Sequence, residues 1–80
     1  MFSTYSNIDT PTVEVFKTNV QDPATANRLL HELHALYPDA KFNFALDDCD
    51  KILRAQSSSL DFGRVANHLK SRGFFCEVLE

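Results

Sequence analysis

Apolar residues along this chain recur first at every second position, then at every third or fourth, and the switches between the two periods mark its elements. Val13 to Thr18 is β-branched and aromatic and predicts a strand, with Val13 and Val15 facing one way and Glu14 and Phe16 the other. Asp22-Pro23 predicts a helix start, with Asp22 as N-cap and proline at the first helical position. Ala26, Leu29, Leu30, Leu33, Leu36 and Tyr37 then form one stripe at helical spacing, and Pro38-Asp39 ends it. Lys41 to Leu46 alternates, with Phe42, Phe44 and Leu46 on the buried side. Asp47 to Asp50 is a turn, and Lys51 to Gln56 returns as the second strand of a β-hairpin, turning Leu53 and Ala55 inward and Ile52 and Arg54 outward. Ser59 is placed to cap a second helix that buries Phe62, Val65, Ala66 and Leu69, with Gly63 weakening it and Gly73 stopping it. Phe74 to Leu79 is the last strand, with Cys76 and Val78 inward and Phe75, Glu77 and Leu79 outward. The pattern predicts an α+β domain of order β-α-β-β-α-β over residues 12–80. A polar, flexible arm precedes it at residues 1–11, where Phe2, Tyr5 and Ile8 are spaced to dock on something.

Composition narrows what such a domain can do. Eighty residues suit one domain near the lower end of what folds alone, and 44% apolar residues with seven Phe supply a core. A formal charge of −3 gives no electrostatic reason to expect nucleic acid or an anionic membrane. Met1 to Pro11 has neither the basic residues nor the apolar run of a secretory leader, and no apolar stretch approaches a membrane span. Cys49 and Cys76 match no zinc or redox spacing, so reduced thiols in a cytoplasmic protein are expected.

The order and length of the elements, with Leu36-Tyr37-Pro38-Asp39-Ala40 near the end of the first helix and Leu69-Lys70-Ser71-Arg72-Gly73-Phe74 at the end of the second, resemble the heavy-metal-associated (HMA-like) domain of copper chaperones and metal-transporting ATPases. The resemblance covers about residues 12–80. It implies a ferredoxin-like fold, with an antiparallel sheet of spatial order 4-1-3-2 and both helices on one face. It also implies a Met-x-Cys-x-x-Cys loop for soft metal between the first strand and first helix. The corresponding stretch here, Asn19 to Ala26, contains neither cysteine nor methionine. Soft monovalent copper needs paired thiolates, which carboxylate and amide replace poorly, so no family site residue carries over.

Asp47, Asp48, Cys49 and Asp50 are read as solvated turn residues, with an atypical metal site as the alternative. Cys76 is read as a buried small hydrophobe, and roughly two interstrand spacings, about 9–10 Å, put it beyond disulfide reach of Cys49. His31-Glu32-Leu33-His34 places its histidines three apart, not the four of the zinc-protease helix, and His68 is read as peripheral. No nucleophile or phosphate-loop pattern is present, so neither an enzyme nor a cofactor is expected. The expected function is a protein-interaction or self-associating module, with Phe16, Ile52, Phe75 and Leu79 forming a contact patch on the open sheet face. That patch takes an unidentified protein or a second copy. The alternatives are metal binding through atypical ligands and a small-ligand sensor. RNA binding is disfavoured by Glu14 and Glu77 on the same face.

Overall fold

Asp22 starts the first helix as its sequence implies. Its backbone is extended, its carboxylate accepts from the Thr25 backbone N–H at 2.9 Å, and Pro23 follows. The computed structural model describes residues 12–47 and 49–79. The arm at residues 1–11, with Phe2, Tyr5 and Ile8, and Asp48 of the hairpin turn lie outside the described residues. The elements are β1 (Thr12–Thr18), α1 (Pro23–Leu36), β2 (Lys41–Ala45), β3 (Ile52–Ser57), α2 (Phe62–Ser71) and β4 (Cys76–Val78).

All strand pairs are antiparallel, and the sheet runs β2-β3-β1-β4. Residues directly opposite on paired strands share a face. The register sets Phe16 opposite Leu53 and Val78, Phe42 opposite Ala55, and Thr18 opposite Cys76. That side of the sheet meets Ala26, Leu29 and Leu33 of α1 and Val65 and Leu69 of α2 in one cluster. Both helices therefore cover the same face. Among the described residues no helix is long and apolar enough to cross a membrane.

The facing of β1 is the reverse of the sequence expectation. Phe16 is 0% exposed and belongs to the core, while Val13 is 52% exposed. Phe16, Thr18 and Val20 form the inward series, and Val13, Val15 and Lys17 point to the open side. Glu14 consequently lies on the helix-facing side, opposite Ala55, and β4 does not reach far enough along β1 to cover it. Leu36, expected on the buried stripe, is exposed because the helix ends there and Tyr37 is already its C-cap.

The second helix starts two residues later than expected. Asp61, not Ser59, is its N-cap and accepts from the Gly63 N–H at 3.0 Å. Ser57 Oγ instead receives the N–H groups of Ser59 and Leu60, so the serine run closes a turn ahead of the helix. At the other end Gly73 takes φ 90°. Phe74 N–H donates to Leu69 C=O and Gly73 N–H to Lys70 C=O, each at 3.0 Å, which is a Schellman closure.

Candidate functional site

Three places could carry function: the β1–α1 loop, the hairpin tip and the open sheet face. The loop is where the resemblance would put a metal, and Thr18, Asn19 and Asp22 are already committed there. Thr18 Oγ1 donates to Lys51 C=O at 2.6 Å and accepts from Val20 N–H at 3.2 Å. Asn19 Oδ1 accepts from Phe75 N–H at 2.9 Å, tying the loop to the start of β4. Val20 is fully buried beneath it. Asp22 is held by Thr25, and these hydrogen bonds keep its carboxyl below the usual carboxylate range. Thr18 and Asn19 thus hold the loop to the neighbouring strands, and Asp22 fixes the helix start.

At the hairpin tip Asp47 and Cys49 are exposed, and Asp50 lies 3.8 Å from Lys17 Nζ. Lys51 adopts φ 50° and turns its ammonium back onto Leu46 C=O at 2.9 Å. Among the described residues no three His, Cys, Asp or Glu side chains converge where they could hold a metal. Cys49 and Cys76 are both free thiols. Cys76 is fully buried opposite Thr18, and burial pushes its thiol up to about 11, so it stays protonated and inert.

His68 departs from the sequence reading. Its Nε2 lies 2.8 Å from Glu32 Oε1, and Arg72 Nε donates to the same oxygen at 3.1 Å. One carboxylate on α1 thus joins a side chain of α2 and that of its C-cap, Arg72. The hydrogen bond with His68, and then the one with Arg72, holds the Glu32 carboxyl below its ordinary range. Sequence alone could not find this group, because its members are 36 and 40 residues apart. His34 is exposed with its ring edge-on to Phe42 at 5.3 Å, and His31 points to solvent.

The expected contact patch is only partly exposed. Phe16 is in the core, and Ile52 points to the open side but is 4% exposed. Phe75 and Leu79 are 42% and 41% exposed. What the open face does present follows from the register. Leu79 donates its N–H to Val15 C=O, and Val15 lies opposite Arg54, which lies opposite Asn43. The next row is Val13, Gln56 and Lys41. Lys41, Phe42, Asn43, Arg54, Gln56 and Val13 line a shallow depression of about 340 Å³. A groove of about 420 Å³ opens between the end of α1 and the start of α2, but Asp61 on its wall is committed to capping α2. No family model, no curated protein and no solved structure matches this chain.

Proposed function

We propose that this chain is a ferredoxin-like domain of the HMA-like type that works as a protein-interaction module through the open face of its sheet, without soft-metal chemistry. The observation that carries this reading is the one-sided packing. Both helices lie on one face, and the other leaves Val13 and Leu79 with Val15 between β3 and β4. Val13, Val15 and Leu79 together favour a partner surface on this face, while exposed Leu36 and Val78 lie off it. The committed side chains of the β1–α1 loop support the second half of the reading, since thiolate replacement there would cost the loop its tethers. A photo-reactive side chain at Val13 or Leu79 is expected to give discrete cross-linked products in cell extract, and one at exposed Asn67 on α2 is not. Equal cross-linking from Asn67 would remove the open face as the site. Competition with a Cu(I) chelator is expected to show no one-to-one uptake, and stoichiometric uptake would restore the metal reading.

A further inference from the structure

The charge on the open face has the opposite sign to the chain. Lys17, Lys41 and Arg54 lie on it against Glu77 alone among the described residues, in a chain of net charge −3. Lys17 is offset locally, with Asp50 at 3.8 Å and Glu77 directly opposite on β4. Lys41 and Arg54 form no ion pair with any described residue. They are diagonal neighbours on β2 and β3, roughly 7–8 Å apart, and both line the 340 Å³ depression with the amides of Asn43 and Gln56. Two cations without an ion partner among the described residues, with two amides beside them, suit a carboxylate. Val13, on the depression's third strand, supplies an apolar contact beside it.

From this, and resting on the open-face reading above, we infer that the partner is an acidic, amphipathic segment of another protein. Its carboxylates meet Lys41 and Arg54, and its apolar side chains meet Val13 and Val15. A second copy stacked face to face is disfavoured, because it would oppose two surfaces of the same positive sign. RNA is also disfavoured. The strand positions on this face carry no aromatic side chain, Phe42 at the depression is only 7% exposed, and the single exposed ring of Phe75 beside β4 does not make the run of stacking platforms that single-strand binders depend on.

The test is an NMR titration of the ¹⁵N-labelled protein with a soluble Glu-Leu-Glu-Glu-Leu-Glu peptide at low salt, with Lys-Leu-Lys-Lys-Leu-Lys and oligouridine as comparisons. Shifts are expected at Val13, Asn43, Arg54 and Gln56, and they should fade as salt screens the pairing. The double variant Lys41→Glu, Arg54→Glu should weaken binding by about tenfold or more. Lys70→Glu on α2 should leave it unchanged. Both reversed side chains are exposed, and circular dichroism checks that the fold is kept. Shifts on this face that survive the double reversal, or that the lysine peptide also produces, overturn the acidic partner while leaving the open-face reading standing. Tighter binding of oligouridine through Lys41 and Arg54 overturns the choice of a protein. Peptide shifts that fall only on the helices overturn both readings.

Discussion

Phe16 shows how one side chain decides which way a strand faces. The segment Val-Glu-Val-Phe-Lys-Thr offers two alternating sets, and each contains one charge: Val13, Val15 and Lys17, or Glu14, Phe16 and Thr18. The two valines make the first set look like the core. Extending the alternation past the strand would have chosen the second, because Val20 continues the series of Phe16 and Thr18 and is fully buried with them. Phe16 and Val20 together remove more apolar area from water than Val13 and Val15, so the frame that buries them wins. Phe16→Ala should therefore destabilise the domain by about 3–5 kcal/mol, a large share of what so small a chain possesses. Chemical denaturation measures this. A loss below about 1 kcal/mol would mean that Phe16 stands outside the core.

Element boundaries were legible where one residue type does one job. Asp22-Pro23 and Gly73 mark helix ends by their own chemistry, and the structure uses each as its sequence suggests. The start of α2 was harder to place, because Ser57, Ser58, Ser59 and Asp61 are all capping types within five positions, and which of them caps depends on where the chain leaves β3. The join between the helices was not legible at all, since Glu32, His68 and Arg72 meet only after both helices have docked. That join has a pH signature. The Glu32 carboxyl titrates below its unfolded value, so its contribution is complete above the ordinary carboxylate range and is lost as pH falls through the depressed folded value. Glu32→Gln should consequently be less stable than the native chain at neutral pH. The two denaturation midpoints should converge on acidification, and a gap that does not change with pH would show that the charge on Glu32 is irrelevant.

Across the whole molecule the sheet order separates what is near in sequence from what is near in space. β2 and β3 are joined by a short turn, whereas β1 at residues 12–18 pairs with strands at 52–57 and 76–78. β1, one of the two inner strands, is thus paired entirely by contacts that close long loops, and such contacts slow folding because the chain loses its freedom before the pairing stabilises it. β4 contributes only three residues to this, clasped against β1 after the larger β1–β3 pairing exists. The order of events follows: the hairpin, then β1 with the helices, then β4. Leu53→Val on β3 should therefore slow refolding, while Cys76→Ala on β4 should mainly hasten unfolding. Chevron kinetics separate the two effects, and a Cys76→Ala chain that refolds as slowly as Leu53→Val would put β4 inside the folding nucleus.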